Sequence, residues 1–314
     1  MTPSDQSGTL PAASGDYTAD GQPGSCRLVA GAPASAEALS ANAPSGSSES
    51  WGLRFDTSVA HPARVYGYWL GGKDHYEADR AAGEEVIRLR PQVVTGARAN
   101  RRFLSRVVRF LATDCGIRQF LDIGTGLPAP DATHEVAQRA APGCRVVYVD
   151  NDPVVLSHAR ALLTGTPPGS CDYLDSDLRD TAEILAYASR TLDLSRPVGL
   201  LLLAVMHFLP DGDDPAGVVA KLAGGLAPGS FIAVSHLTAD LAPDQVDAAT
   251  GAYNALVSVP VTPRTHAQVT ELFGGLPLLA PGVVPVSEWR LDAGEVHQPC
   301  DLYGGVACLP RGRR

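Results

Sequence analysis

Lysine is scarce in this sequence, and the chain as a whole is acidic. Lys73 and Lys221 are the sole lysines among 25 basic residues, while aspartate and glutamate together number 34, so the net charge is −9. A protein that binds nucleic acid normally carries a basic face that neutralises phosphates. The composition therefore gives no reason to expect a nucleic-acid partner.

The basic residues are concentrated in one stretch of the chain, and this stretch contains only arginines. They are Arg98, Arg101, Arg102, Arg106 and Arg109. Such a run forms either a phosphate-binding face or the solvated side of a helix. We favour the solvated helix, which is the commoner outcome.

The sequence also lacks a long apolar run and a secretory leader. Its main apolar run is residues 198–205, whereas a membrane-spanning helix needs about 20 residues. The first residues, MTPSDQSGTL, contain neither the basic nor the apolar part of a signal peptide. We therefore expect a cytoplasmic protein without a membrane partner.

Six cysteines are present, but no two of them have the C-x-x-C spacing of a zinc site. The eight histidines are scattered and add no metal-ligand pattern. We expect free thiols, a reducing compartment and no bound metal.

Aromatic residues are almost absent from the first 50 residues, where Tyr17 stands alone among Ser, Ala, Gly, Pro and Thr. Such a segment buries too little apolar surface to offset the entropy lost on ordering it. We predict that residues 1–50 form a disordered tail and that the folded part begins near Trp51.

Apolar spacing predicts two kinds of structure in the rest of the chain. Up to residue 112 the spacing is helical, with helices at 78–89 and 97–111. After residue 112 strands and helices alternate, which indicates a parallel sheet covered by helices on both faces. The strands are predicted at 119–123, 145–149, 172–174, 198–205 and 231–235, and the helices between them at 134–140, 153–163, 182–188 and 218–226. A weaker pattern predicts a helix at 267–273 and strands at 283–289 and 303–309.

The strand at 119–123 runs into a glycine-rich turn, Asp122-Ile-Gly124-Thr125-Gly126. Glycine suits this turn because it adopts positive φ angles and because a ligand can approach its backbone without meeting a Cβ atom. The free N–H groups at the start of the following helix favour an anionic group. Taken alone, the pattern also fits the dinucleotide-binding fingerprint.

Acidic residues follow the next two strands as well. Asp150 ends the second strand, 24 residues after Gly126, where a carboxylate accepts hydrogen bonds from ribose hydroxyls. Asp175 and Asp177 follow the third strand, where a carboxylate can accept from an adenine amino group. The three positions together predict an adenosine ligand.

Asp122 distinguishes between two adenosine cofactors. Its carboxylate would repel the pyrophosphate of NAD over the turn, whereas it would attract the ammonium and sulfonium groups of S-adenosylmethionine. We favour a methyltransferase that uses S-adenosylmethionine. An NAD(P)-dependent oxidoreductase and a non-catalytic S-adenosylmethionine-binding protein are the alternatives.

Several motifs resemble those of class I methyltransferases. They are Asp122-x-Gly-x-Gly126, VYVDNDP at 147–153, DLRD at 177–180 and VMHFL at 205–209. Other stretches resemble an actinobacterial family of S-adenosyl methyltransferases, first catalogued as a domain of unknown function. They are ARVYGYWLGGKD at 63–74, ANRRFL at 99–104 and PGVVPVSEWR at 281–290. The resemblance covers about residues 53–310.

The resemblance implies a Rossmann-like α/β fold, with a seven-stranded, mostly parallel sheet flanked by helices and a reversed final strand. It implies an N-terminal helical cap at residues 51–112 and a cofactor-binding domain at residues 113–314. The implied cofactor is S-adenosyl-L-methionine, and we expect the methyl acceptor to be a small molecule.

The resemblance also gives roles to the matched positions. Asp122, Gly124, Thr125 and Gly126 would hold the methionine part, Asp150 and Asn151 the ribose, Asp177 and Leu178 the adenine, and Ala204, Val205 and His207 would line the reacting end. Pro128 stands where many class I methyltransferases have a third glycine, so we expect the next helix to begin late.

Two features have more than one interpretation. Tyr66, Trp69, Lys73 and Asp74 belong either to a lid over the substrate or to a helix end with a glycine cap. His207 follows the fourth strand and is either a general base for the acceptor or a packing histidine.

Overall fold

The structure of the chain is a computed structural model that describes residues 56–163 and 171–311, without the side chains of residues 159–163. The predicted tail at residues 1–50 lies outside the described residues. All described residues fall within one compact unit. The domain boundary drawn at residue 112 stays a prediction.

Within the described residues, seven strands form one sheet in the order β3-β2-β1-β4-β5-β7-β6. The strands are β1 (Gln119–Ile123), β2 (Arg145–Asp150), β3 (Cys171–Asp175), β4 (Gly199–Leu203), β5 (Phe231–Leu237), β6 (Val284–Pro285) and β7 (Leu302–Cys308). β1 to β5 run parallel, and β7 lies antiparallel between β5 and β6. The predicted mostly parallel sheet with a reversed final strand is therefore confirmed.

Helices cover both faces of this sheet. They are α1 (Pro62–Trp69), α2 (Glu77–Leu89), α3 (Gln92–Thr113), α4 (Thr133–Ala140), α5 (Pro153–Leu163), α6 (Thr181–Ala188), α7 (Pro215–Gly224), α8 (Pro243–Asn254) and α9 (His266–Glu271). On one side of β1 the chain winds toward β2 and β3, and on the other toward β4 and β5. Parallel sheets bind ligands at such a switch point, beyond the carboxyl ends of the strands.

α3 is the longest helix described and carries much of one core. Phe103, Val107 and Leu111 are fully buried on one face, at the helical spacing that the sequence predicted. The helix begins at Gln92 rather than at Ala97, because Pro91 already occupies its N-cap and the helical geometry continues from there.

The arginines of α3 differ in exposure: Arg98, Arg102 and Arg109 are exposed, as a solvated face requires, whereas Arg101 and Arg106 contact other segments. Arg106 is buried and donates to the main-chain oxygens of Val286 and Trp289. Arg101 donates to the carbonyls of Pro130 and Asp131. The favoured interpretation of this run as a solvated face is therefore wrong for Arg106, whose guanidinium satisfies carbonyls in a core segment.

A smaller core joins α1, α2 and α8 over one end of the sheet. Val65, Val86, Ala249 and Tyr253 are among its buried members. The sequence analysis did not predict α8, since the apolar pattern after Pro243 is weak. These helices, with α3, form a roof above the carboxyl ends of the strands.

Two predicted strands are shorter in the structure. β4 ends at Leu203, and Ala204 leaves the strand with a φ angle of 53°. β6 ends at Pro285 because the chain turns there, so that Val286 and Trp289 enter the core beneath α3.

Candidate active site

A cavity of about 270 Å³ lies beyond the carboxyl ends of β1, β2 and β4, beneath the helical roof. One part is lined by the glycine turn and the ends of these strands. The other part is lined by the helices α1, α2, α3 and α8 together with His207, Phe208 and Leu209. We call the first part the strand-end half and the second the helical half.

The glycine turn forms the floor of the strand-end half. Gly124 and Gly126 have φ angles of 75° and 65°, which favour glycine. A Cβ atom at Gly124 would overlap the side chain of Val205, so this glycine permits a close approach of two loops. A Cβ atom at Gly126 would meet nothing within 4 Å and would project into open space.

Asp122 is buried at the end of β1, directly before this turn. Its Oδ2 accepts a hydrogen bond of 2.6 Å from the hydroxyl of Thr133. Burial raises the pKa of this carboxyl from 3.8 to about 6, against the lowering effect of that hydrogen bond and of Arg101. The site therefore holds an acidic group that a nearby cation would stabilise in its charged form.

Asp150 lies opposite the turn, at the end of β2. Its Oδ2 accepts from the main-chain N–H of Gly126 at 2.8 Å, and its Oδ1 accepts from the N–H of Asp152 at 3.0 Å. Burial raises the pKa of Asp150, while these backbone hydrogen bonds lower it. Each oxygen retains a lone pair for a further donor, such as a hydroxyl.

The far end of the strand-end half is closed by ion pairs. Asp177 accepts two hydrogen bonds of 2.8 Å from the guanidinium of Arg179. Arg179 also pairs with Asp213 at 2.9 Å. The bonds from Arg179 hold the pKa of Asp177 below its ordinary value, and Asn151 contributes a further hydrogen bond. Asp177, Asn151 and Leu178 line the cavity. Their contacts with the cofactor stay predictions.

α4 begins at Thr133, several residues after the glycine turn. The late start expected from Pro128 is therefore observed. Because the helix N-terminus does not open directly from the turn, its free N–H groups do not form the floor of the cavity. Thr133 instead bonds to Asp122.

Ala204 and Val205 connect β4 to a short 3₁₀ turn, Met206–Phe208. The N–H of Ala204 donates to the carbonyl oxygen of Ser235 at 3.1 Å and to its hydroxyl at 2.9 Å. Both Ala204 and Val205 line the cavity and lie between its two halves.

His207 is buried in this 3₁₀ turn and also lines the cavity. Its Nδ1 accepts from the N–H of Leu237 at 3.4 Å. Burial, with the neighbouring His236 and Arg264, lowers the pKa of His207 well below its ordinary value. The imidazole is therefore neutral, and its proton lies on Nε2.

Arg264 holds the segment of residues 206–211 in place through hydrogen bonds. It donates to the carbonyls of Met206 and Leu209, at 3.2 and 2.8 Å, and to the carboxylate of Asp211 at 2.7 Å. Its side chain is buried and contacts the Nε2 of His236 at 2.9 Å. The sequence analysis missed this residue, since no motif marks an arginine that acts on distant carbonyls.

The helical half is mainly apolar and aromatic. Tyr66 and Trp69 of α1 line this half, together with Phe208 and with Tyr253 of α8. Lys73 and Asp74 lie in an exposed turn outside the cavity lining, where Asp74 is 3.6 Å from His158. α1 ends at Trp69, and Gly71 follows the C-cap Leu70 with a φ angle of 85°, as the interpretation of a helix end with a glycine cap predicted. A lid role for Tyr66, Trp69, Lys73 and Asp74 stays a prediction.

A charged pair lies at the edge of the helical half. Arg90 forms two hydrogen bonds to Asp301, at 2.8 and 2.6 Å, and also contacts Gln245. The sequence analysis missed this pair, because its members are 211 residues apart.

The residues of the strand-end half fit S-adenosylmethionine. The buried carboxylate of Asp122 suits the ammonium group, and Asp150 with Asn151 suits the ribose diol. The open space above Gly126 admits the methionine part against bare backbone. A pyrophosphate fits less well, because it would face the carboxylate of Asp122 without the N-terminus of α4 beside it.

Two negative findings concern the described residues. No helix among residues 56–163 and 171–311 is long and apolar enough to cross a membrane. Over the same part of the chain, no three His, Cys, Asp or Glu side chains are grouped as they would be to hold a metal ion.

The fold and this site define a class I, S-adenosylmethionine-dependent methyltransferase. The model of a family described as S-adenosyl methyltransferase matches residues 48–310, so the chain belongs to this family. Its enzyme class and its cofactor, S-adenosyl-L-methionine, follow from that membership. A search of curated proteins found no match.

Two solved structures resemble the chain over most of their length. One is a DUF574 family protein from Streptomyces avermitilis, with 46% identity and a TM-score of 0.77, covering 81% of this chain and 99% of that one. The other is a candidate methyltransferase from Thermobifida fusca, with 36% identity and a TM-score of 0.74, covering 82% of this chain and 97% of that one. The resemblance to an actinobacterial family is therefore confirmed.

Proposed function

We propose that this methyltransferase acts on a small, mainly apolar molecule that binds in the helical half of the cavity. The observation that carries the proposal is the lining of that half, where Tyr66, Trp69, Phe208 and Tyr253 supply aromatic walls. Apolar pockets with a few placed polar groups are the usual sites of small-molecule ligands.

The charges of the helical half disfavour a cationic acceptor. Arg90 and Asp301 neutralise each other through two hydrogen bonds. His207 is neutral, because its pKa is lowered well below the ordinary value, chiefly by burial. A cationic acceptor would lose its hydration in this half without gaining a counter-charge, because Arg101, which also lines the cavity and donates to main-chain carbonyls, is itself positive.

Catalysis by this chain is chiefly a matter of alignment. S-adenosylmethionine supplies, when bound, a methyl group activated by a sulfonium. Asp122 and Asp150 would hold the two ends of the cofactor, and the aromatic walls would hold the acceptor and exclude water. Orientation of this kind accounts for a large part of the rate enhancement in two-substrate reactions.

His207 would act on the acceptor as a hydrogen-bond donor. Its Nδ1 accepts from Leu237, so its Nε2 carries the proton and can orient the acceptor by donating to an oxygen or nitrogen other than the atom that is methylated. In this tautomer Nε2 cannot remove a proton from the acceptor. The proposed role differs from the general base considered from the sequence.

The proposal is tested by finding the acceptor and by blocking its half of the cavity. The enzyme is incubated with methyl-labelled S-adenosylmethionine and the low-molecular-mass fraction of a cell extract, and labelled products are separated by size. We expect the label in small, organic-extractable molecules. Label in protein or nucleic acid, with none in small molecules, would overturn the proposal.

Thr250→Trp is the blocking variant, because Thr250 lines the cavity from α8. It should lower transfer to the small acceptor about 100-fold, since a displaced acceptor loses its alignment, while binding of S-adenosylhomocysteine persists. Asp247→Trp is the control, because it places the same side chain on the exposed face of α8. Equal turnover by the two variants would show that the acceptor binds elsewhere.

A non-catalytic binding protein would give a third pattern. S-adenosylhomocysteine would then bind, but no fraction of the extract would accept the label.

A further inference from the structure

A buried chain of hydrogen bonds connects the helical roof to the turn between the two halves of the cavity. The hydroxyl of Ser235 donates to Oδ1 of Asn100 at 2.6 Å, and Nδ2 of Asn100 donates to the hydroxyl of Tyr66 at 3.1 Å. At its other end, the Ser235 hydroxyl accepts from the N–H of Ala204. The chain therefore joins α1 and α3 to the residue that follows β4.

The two ends of this chain fix its direction. The N–H of Ala204 can only donate, so the proton of the Ser235 hydroxyl is left for Asn100. The carbonyl of Ala97 can only accept, and it receives the proton of the Tyr66 hydroxyl at 3.0 Å. Asn100 must therefore present its oxygen to Ser235 and its nitrogen to Tyr66. The N–H of Ala204 is shared between the hydroxyl and the carbonyl oxygen of Ser235, at 2.9 and 3.1 Å.

Ala204 is the residue that needs this support. Its φ angle of 53° lies in the left-handed region, which costs a residue with a Cβ atom about 1–2 kcal/mol. Such a conformation persists only where the surroundings hold it. The next residue, Val205, lies against Gly124, so a change at Ala204 would displace the side chain that packs on the glycine turn.

We propose that Asn100 is a positioning residue that acts through Ser235 and holds Ala204 and Val205 in the backbone conformation the methyl donor requires. Asn100 is 4% exposed and Ser235 is fully buried. Removal of the Asn100 amide would leave the Ser235 hydroxyl without its acceptor. The hydroxyl would then turn toward another acceptor and weaken its bond to Ala204.

The test measures binding of S-adenosylhomocysteine by calorimetry, which needs no acceptor and so remains informative if the proposed small-molecule substrate is wrong. We expect Asn100→Ala and Ser235→Ala each to weaken binding about tenfold, as the loss of one buried hydrogen bond and its strain predicts. Wild-type affinity in both variants would overturn the proposal.

Ser230 offers a matched control at the opposite end of the same pair of strands. Its hydroxyl accepts from the N–H of Val198 at 3.0 Å, as that of Ser235 accepts from Ala204, and both serines are fully buried. Ser230→Ala should lower the melting temperature by a similar amount to Ser235→Ala and leave the affinity unchanged. An equal loss of affinity in Ser230→Ala would mean that the effect is general destabilisation.

A glycine at position 204 tests the backbone conformation itself. Glycine adopts positive φ without a Cβ penalty. In a protein that already carries Ala204→Gly, adding Asn100→Ala or Ser235→Ala should therefore weaken binding of S-adenosylhomocysteine only about threefold or less. An unchanged tenfold loss would overturn the proposal, because Asn100 would then act by another route. If Asn100→Ala does not fold, the Ser235→Ala pair provides the same comparison.

Discussion

The two halves of the cavity are built in different ways. The strand-end half is made of loops that follow parallel strands, with Asp122, Gly126 and Asp150 as its principal groups. The helical half is made of the faces of four helices, two of which are more than 150 residues apart in the chain. Polar groups and bare backbone dominate the first half, and aromatic rings dominate the second.

This difference agrees with the roles proposed for the two halves, donor binding in the first and acceptor binding in the second. The methyl donor carries fixed charges and hydroxyls, so its half needs few residue types at fixed distances along the chain. An apolar acceptor is recognised by shape, which is set by packing between distant segments. Substitutions should therefore separate the two halves by what they change: donor binding in the first and acceptor use in the second.

The largest effect is expected from Asp150→Ala. This change removes the carboxylate proposed to accept from the ribose and also frees the N–H groups of Gly126 and Asp152. Loss of hydrogen bonds to a charged acceptor costs about 1.5–3 kcal/mol each, so calorimetry should show affinity for S-adenosylhomocysteine falling about 100-fold. The control is Asp175→Asn, since Asp175 pairs with Asp150 in the sheet register but is exposed. Wild-type binding by Asp150→Ala would show that the strand-end half is not the donor site.

The second-largest effect is expected from Asp122→Asn, which should change both stability and cofactor affinity in a way that depends on pH. Burial raises the pKa of Asp122 from 3.8 to about 6, so the folded state binds more protons than the unfolded state between these values. The carboxylate therefore destabilises the free protein increasingly as pH rises through this window, and fully above it. Asn at this position should raise the melting temperature at about pH 8 and give no gain at about pH 4.

The same variant should bind S-adenosylmethionine about tenfold more weakly at about pH 8, because the ammonium loses its counter-charge. Wild-type affinity should also fall more steeply than that of the variant as pH drops below about 6. Paired melting and titration experiments over this range measure both effects. Equal pH dependence in the two proteins would contradict the assignment of Asp122 to the ammonium group.

A smaller effect, confined to turnover, is expected from His207→Gln. Glutamine keeps an N–H group near the position of Nε2, so kcat should fall less than about tenfold, whereas loss of a general base costs about 100-fold or more. Because the pKa of His207 is lowered well below its ordinary value, the plot of wild-type kcat against pH should show no inflection from this residue near neutral pH. A large loss in His207→Gln, with His207→Ala no worse, would favour the general base.

The same contrast between the halves explains which predictions from the sequence were possible. Strands are marked by short apolar runs, and Asp122, Asp150 and Asp177 lie at strand ends that a parallel sheet brings to one edge. Their meeting in one cavity could therefore be predicted without knowledge of the packing. The start of α4 could also be anticipated, from Pro128 alone.

The helical half could be predicted only in part. Tyr66 and Trp69 stood out as aromatic residues beside a glycine pair, but Tyr253 lies on α8, which has no clear apolar spacing. Asn100 belongs to the ANRRFL stretch that carried the family resemblance, but its role could not be predicted, because it depends on Ser235, 135 residues later. Contacts of this kind are a property of the folded chain and leave no periodic trace in the sequence.

The contacts of α3 and α2 with the last segment of the sheet have a consequence for synthesis. Phe103 packs edge-on against Trp289, with ring centroids 5.5 Å apart, and Arg90 binds Asp301. These early helices are synthesised long before their partners. Part of the apolar face of α3 therefore stays exposed until the last segment of the chain has left the ribosome. The cavity can therefore take its final shape only after β7 has been synthesised.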